Sequence, residues 1–253
     1  RQLNLKTDFV AQSIGTPIIF LKFNKMGKVV LITGGSDGLG KAVAECLAKQ
    51  YRVIILARDR KKLEKVAKKL NCKFLVCDIA DQKQVEKTIN DIIQEFGQID
   101  CLINNAGVFI EGPLESNPPD KIREAIDINV VGTILVTQAV LPYMKRSGSG
   151  LIININSQAG LSAKSERSIY NASKWAITGF TKCMQQELGT TGIKIVGIYP
   201  GKMNTRIFKK AGIDKNMKDA VDPREIAKVV QFILERDDDV LIPDVSILHK
   251  DYK

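Results

Sequence analysis

An α/β fold, a doubly wound parallel sheet of about seven strands with helices on both faces, is predicted by three features of this sequence. Short β-branched apolar runs alternate with amphipathic stretches from residue 27 onward, as expected of strands buried on both faces and joined by crossover helices. The first run empties into Gly34, Gly35, Gly38 and Gly40, and helical spacing follows directly. No linker, low-complexity tract or repeat divides the chain, and 253 residues suffice for one α/β domain with a buried core.

Taken in order, residues 28–33 (KVVLIT) read as the first strand, and the glycine turn delivers the chain into a helix marked by Val43 and Leu47. Strands follow at 52–57 (RVIILA), 73–77 (KFLVC), 100–104 (DCLIN), 150–156 (GLIININ) and 193–199 (IKIVGIY), with a last short one at 239–243 (DVLIP). Helical patterns lie between them, including 130–145 and 169–188, and a long segment, 202–221, enters the sixth connection. Residues 1–26 stand outside the pattern and are read as an N-terminal extension, leaving 27–253 as a single domain. The apolar run PIIFLKF in that extension is too short to span a bilayer, and no arginine-rich repeat marks it as a transit segment.

Composition narrows the chemistry. Cys46, Cys72, Cys77, Cys101 and Cys183 are odd in number and lack C-x-x-C spacing, which points to reduced thiols in a cytoplasmic protein. His249 is the sole histidine, so histidine triads and histidine-rich metal sites are excluded. The net charge of +10 raises the question of nucleic acid. Yet the densest basic run, 58–69, is interleaved with Leu63 and Val66 at helical spacing and reads as a solvated helix face.

Two motifs carry chemistry. The stretch Thr33-Gly34-Gly35-Ser36-Asp37-Gly38-Leu39-Gly40 lies between strand and helix, where glycines let the backbone approach a pyrophosphate and the helix N-terminus meets its charge. Tyr170 and Lys174 are four residues apart on a helical stretch, hence on one face. A nearby ammonium favours the phenolate and would draw a phenol of pKa about 10 toward neutrality. Ser157, from another element, would hold a substrate oxygen beside it. Such a set suits proton transfer at a carbonyl or alcohol oxygen.

Together with Asp78 after the third run, Asn104-Asn105-Ala106-Gly107 after the fourth, Asn129, and Pro200-Gly201 with Thr205, these motifs resemble the short-chain dehydrogenase/reductase family from residue 27 to the C-terminus. The resemblance implies a Rossmann-like fold and a nicotinamide cofactor. It implies Tyr170 as general acid/base, with Lys174 tuning it and holding the nicotinamide ribose. Ser157 would polarise the substrate, and Asn129 would hold a relay water. Thr33, Gly34, Ser36, Gly38, Leu39 and Gly40 would cradle the cofactor. Asn104, Asn105, Ala106 and Gly107 would flank the adenosine, and Asp78 would bind the adenine amine or else serve as a helix cap. Pro200, Gly201 and Thr205 would meet the nicotinamide.

Ala57 stands where NAD-preferring relatives carry an acid, and Arg58 follows it, which favours NADP(H) with NAD(H) as the alternative. Asp37, and Asp59 if it turns inward, oppose that preference. Phe109, Ile110, residues 158–161, Met203, Ile207 and Phe208 are expected to line a pocket for a modest apolar carbonyl compound. Lys202, Arg206, Lys209 and Lys210 gather on the segment after the sixth strand and are expected to be solvated, with an acidic substrate or an acidic carrier protein as the sharper reading. The C-terminal VLIPDVSILHKDYK resembles the ending of NADP-dependent 3-hydroxy acid dehydrogenases, which implies a small 3-hydroxy or 3-oxo acid; a 3-oxoacyl thioester is the alternative. By the same resemblance the chain pairs through helices 130–145 and 169–188 as a homodimer or homotetramer, without nucleic acid or membrane. A regulator of the same fold, catalytically silent, would generally lack the Tyr or the Lys, and both are present here.

Overall fold

The computed structural model describes residues 27–237 and 239–251, so the extension expected at 1–26 lies outside the described residues. The elements run β1 (Val29–Thr33), α1 (Gly38–Leu47), β2 (Arg52–Ala57), α2 (Arg60–Leu70), β3 (Lys73–Val76), α3 (Gln82–Phe96) and β4 (Cys101–Asn104). They continue with α4 (Pro119–Ile126), a π-helical turn (Asp127–Gly132), α5 (Thr133–Ser147), β5 (Gly150–Ile155), α6 (Ser168–Glu187), β6 (Ile193–Pro200), α7 (Ile207–Lys210), α8 (Pro223–Leu234) and β7 (Asp244–Ile247). The seven strands form one parallel sheet in the order β3-β2-β1-β4-β5-β6-β7. The order reverses between β1 and β4, and a crevice opens there beyond the strand ends.

Alternation along the strands feeds two cores. Val30, Ile32 and Ile55 pack beneath Val43 and Leu47 of α1 and Val230 and Ile233 of α8. On the opposite face Leu31, Ile54 and Leu102 meet Val85, Ile89 and Ile92 of α3 and Val136, Val140 and Met144 of α5. Helices 119–147 together are long and apolar enough to cross a membrane, but this buried face of α5 shows that the apolarity serves the core. Asp59 and Asp81 cap α2 and α3, accepting from the backbone N–H groups of Lys62 and Gln84 (3.1 Å each).

A ladder of buried amides crosses the centre of the sheet. Asn104 and Asn154 stand opposite each other on β4 and β5. The Asn104 amide donates to Asn154 Oδ1 and to Thr137 Oγ1 of α5, both at 2.9 Å. Asn154 in turn donates to Thr181 Oγ1 of α6 at 2.9 Å.

Two expectations shift here. The last strand is Asp244–Ile247, not 239–243. Pro243 has no N–H to place in a ladder, so the pairing with β6 opens with its carbonyl, which accepts from Gly197 N at 2.9 Å, and Asp244 begins the register. Residues 127–132 are a π-helical turn, so the helix expected from 130 begins as α5 proper at Thr133. The basic run is the solvent face of α2, whose Leu63, Val66 and Ala67 face inward. All five cysteines are free; Cys77 and Cys101 are buried, and Cys183 is exposed on α6.

Candidate active site

Two turns meet at the carboxyl ends of β1 and β4. The Thr33 hydroxyl accepts from the backbone N–H groups of Asn105 and Ala106 (3.0 Å each), and the Asn105 amide donates back to Thr33 O at 2.9 Å. This close stitching requires glycine. At Gly34, with φ of 68°, a Cβ would lie 2.9 Å from Ala106 Cα, and at Gly40 it would lie 2.4 Å from Gly34 O. Gly35 N donates to Leu56 O at 3.1 Å, which ties the turn to the end of β2. Asp37 then caps α1.

At the other part of the crevice, Tyr170 and Lys174 rise from the first turns of α6, both buried. The Tyr170 ring stands edge-on to Phe109 (centroids 4.7 Å apart), and Phe109 packs likewise on Phe208 at 4.8 Å. Ser157 follows β5 and accepts from Ala159 N at 3.1 Å, and its hydroxyl is near enough to the Tyr170 phenol to pull the phenol's pKa down. The Lys174 ammonium donates to Ile155 O at 3.3 Å and lies 5.9 Å from the Tyr170 ring centroid.

The electrostatics differ from the simple expectation of an amine that acidifies the phenol. Burial is the largest influence on Tyr170 and pushes its pKa up, while the Ser157 hydrogen bond and the Arg167 charge pull it down. Burial also drives the Lys174 ammonium down to about 8. In this arrangement the amine is held by a backbone carbonyl, and it is itself partly discharged near neutral to mildly basic pH.

One cavity of about 730 Å³ is lined by Gly34, Ser36, Gly38, Leu39, Arg58, Asp78, Asn105, Ala106, Gly107, Tyr170, Lys174 and Thr205. The short chain dehydrogenase family model matches residues 28–216. An uncharacterized oxidoreductase of Staphylococcus saprophyticus is 31% identical over 227 residues, covering 87% of this chain and 96% of the relative. The chain belongs to the short-chain dehydrogenase/reductase family. Among solved structures, an alcohol dehydrogenase from the archaeon Thermococcus sibiricus complexed with 5-hydroxy-NADP aligns with a TM-score of 0.82 at 27% identity, covering 89% of this chain and 98% of that one. The closed form of a serine dehydrogenase complexed with NADP+ aligns at 0.82 and 26% identity, covering 87% and 94%. The chain is therefore an NAD(P)-dependent dehydrogenase/reductase, and the donor set fits that cofactor. A glycine cradle at a helix N-terminus, a tight two-turn junction and a volume within the usual range for small-molecule sites all suit a dinucleotide.

Other residues expected at this reductase's site stand behind the cavity wall. Thr33 and Gly40 hold the cradle, while Pro200 and Gly201 close β6, Gly201 N donating to Ile247 O at 2.8 Å. Asn129 is buried, and both donors of its carboxamide are engaged: it donates to Val108 O and Ser173 Oγ (3.0 Å each), and its oxygen accepts from Val108 N at 2.8 Å. Asn104 belongs to the buried ladder instead of the adenosine wall.

Asp78 is not the cap of α3, a role Asp81 takes; its carboxylate accepts from Ala80 N at 3.1 Å and lies 3.9 Å from Arg58. Arg58 is also 3.6 Å from Glu124. Asp59 caps α2 and pairs with Lys62 at 2.6 Å, and both residues line the edge of the cavity. Phe109, Ile110, Met203 and Ile207 do line the cavity, but residues 158–161 do not, because the Gln158 amide donates to Tyr199 O (2.8 Å) and Ser246 Oγ (3.1 Å). Lys202, Arg206 and Lys210 are paired with acids of this chain, namely Asp219, Asp37 and Asp37 again.

Sequence reasoning overlooked a trio at the mouth. Glu111, largely buried, accepts from Arg167 Nε at 2.6 Å and from Lys215 Nζ at 3.0 Å, and the Arg167 guanidinium lies 5.5 Å over the Phe109 ring. Asn156 was also missed; it donates to Lys174 O (3.2 Å) and Thr178 Oγ1 (2.8 Å), bracing α6 against β5. Its signal was an amide inside a strand-like run.

Proposed function

We propose that this enzyme interconverts a carbonyl and a secondary alcohol with NADP(H), Tyr170 giving the proton in reduction and taking it in oxidation. The observation that carries the reading is the meeting of Tyr170 and Lys174 at an aromatic-walled cavity that also touches the glycine cradle, with Ser157 beside the phenol but outside the cavity lining. Thr33, Gly34, Ser36, Gly38, Leu39, Gly40 and the 105–107 turn would hold the dinucleotide, with Asp78 and Arg58 at its adenosine end and Pro200, Gly201 and Thr205 at the nicotinamide. The cofactor supplies or accepts the hydride. Ser157 positions the substrate oxygen beside the phenol, and Lys174 is placed to hold the nicotinamide ribose. Asn129 acts as a positioning residue, since its bonds to Val108 and Ser173 tie the cavity wall to the helix that carries Tyr170 and Lys174.

Two supports favour NADP(H). Both structural relatives described above hold an NADP-type cofactor. Arg58 is held only by long, half-exposed ion pairs at 3.6 and 3.9 Å, which contribute little and exchange readily for a forked phosphate contact. For substrate, Phe109, Phe208, Ile110 and Ile207 around Tyr170 suit a small, largely apolar 3-oxo or 3-hydroxy compound, such as a short acid or thioester. The serine dehydrogenase likeness and the C-terminal resemblance lean toward the acid. Steady-state reduction of short 3-oxo acids and acetoacetyl thioesters should give a higher kcat/KM with NADPH than with NADH; a higher value with NADH overturns the cofactor assignment.

The outer face of α6 exposes Ala172, Trp175, Ala176, Gly179 and Cys183, and Val131 and Ile134 are exposed just before and on α5. A flat stripe with a bulky apolar ring half-exposed suits a second copy of the same chain across a two-fold axis. Gly179→Arg is expected to give a monomer by sedimentation where the parent protein sediments as a dimer or tetramer.

A further inference from the structure

Asp37 is an unusual occupant of a turn that faces an anionic cofactor, and the structure shows how its charge is handled. The carboxylate is mostly enclosed. One oxygen accepts from Gly38 N at 2.8 Å, while the other accepts from Arg206 Nη2 at 2.8 Å and Lys210 Nζ at 2.9 Å. Both bases reach across the crevice from the segment after β6, 169 residues further along the chain in the case of Arg206. Burial alone would raise the Asp37 carboxyl, but Lys210, Arg206 and the Gly38 N–H outweigh it and hold its pKa at about 2, so the acid is ionised throughout the working range. The turn and the post-β6 segment also touch sterically: a Cβ on Gly38 would lie 3.5 Å from Thr205 Cβ.

We infer that Arg206 and Lys210 are specificity-determining residues for the cofactor, acting by cancelling the Asp37 charge so that the turn accepts the additional phosphate of NADP(H). Asp37 and Arg58 line the same cavity, and the Gly35 N–H bond to Leu56 O ties the turn to the end of β2 that carries Arg58. An uncompensated acid there repels the 2′-phosphate and leaves a 2′-hydroxyl cofactor almost unaffected. With two bases on one acid, the local sum is +1 instead of −1. Because α7 also seats Ile207 and Phe208 in the aromatic cluster around Tyr170, the contact that sets cofactor choice is carried by the element that walls the substrate chamber. This inference rests on the nicotinamide-site reading and adds to it a charge partner drawn from a distant segment.

The test is direct binding of NADP+ and NAD+ to the full chain by titration calorimetry, in three proteins. In Arg206→Ser/Lys210→Ser, the NADP+ Kd should rise at least about tenfold while the NAD+ Kd changes by less than about threefold. Adding Asp37→Ser to that pair should restore the parent NADP+/NAD+ ratio; serine keeps the helix cap, so the turn and α1 remain folded. Equal losses for both cofactors in the double variant would show that the bases serve the shared pyrophosphate, and would overturn the inference. A triple variant as weak for NADP+ as the double would overturn it too, because the bases would then be touching the extra phosphate themselves. The parent protein alone tests the broader assignment: tighter binding of NAD+ than of NADP+ there sinks the NADP(H) reading, whereas the inference is judged only on how the ratio moves among variants.

Discussion

Tyr170→Phe is expected to lower kcat about 10³-fold or more while shifting the NADPH Kd by less than about threefold. The substitution deletes one oxygen and nothing else of consequence to packing. The Phe109 edge contact at 4.7 Å is made by the ring and survives, so the chamber keeps its shape. What disappears is the phenolic hydroxyl that the proposal makes the proton carrier, beside Ser157. Burial has already raised that phenol, so at neutral pH it stands protonated and ready to donate to a carbonyl oxygen that becomes an alkoxide. A variant within tenfold of the parent rate in single-turnover reduction would remove Tyr170 from the chemistry.

Lys174→Met should abolish detectable turnover and, in the same protein, raise the melting temperature. The ammonium is buried, rests on one backbone carbonyl at 3.3 Å, and has its pKa pulled from 10.5 to about 8. At about 1.36 kcal/mol per unit, keeping that proton in the folded state costs on the order of 3–4 kcal/mol. The sign fixes the pH window. Below about 8 both folded and unfolded chains carry the proton and the penalty is complete. Between about 8 and 10.5 the unfolded chain binds more protons than the folded one, so stability of the parent rises with pH and the penalty fades. Methionine fills the same space without charge. The variant's advantage should therefore be greatest near pH 6–7, about 7–14 °C for a chain of this size, and nearly gone by pH 10.5. An advantage that stays constant with pH would show that packing, not desolvation, is its source.

Much of this was legible beforehand, because local pattern carries it. The β-branched runs specify buried strands, four glycines before a helix specify the cradle, and i,i+4 spacing puts Tyr170 and Lys174 on one face. What escaped depends on groups brought together from far along the chain. No spacing rule links Asp37 to Arg206 and Lys210, and charge alone makes the latter look like candidates for an acidic substrate. Asn104 looks like a cavity residue until Thr137 and Asn154 are seen to claim its amide. Gln158 lies next to Ser157, yet the arrival of β7 at Ser246 turns it away. The final strand was misplaced because VLIP satisfies apolarity while its proline lacks the donor a ladder needs. The rise in the Tyr170 pKa was missed for a related reason: burial is a property of the assembled fold and is invisible in Y-x-x-x-K.

The amides that cross the middle of the sheet have a consequence for assembly of the native state. The Asn104 and Asn154 amide donors reach Asn154 Oδ1, Thr137 and Thr181 only when β4 and β5 lie in the observed alignment. Sliding one strand past the other by a single residue would leave several polar groups stranded among aliphatic neighbours, each mispaired group costing roughly 1–3 kcal/mol. Leucines and isoleucines alone are interchangeable and would tolerate such a slip. The carboxamides thus act as a key between otherwise greasy surfaces, rejecting wrong pairings during folding even though, strand for strand, aliphatic replacements could bind as tightly.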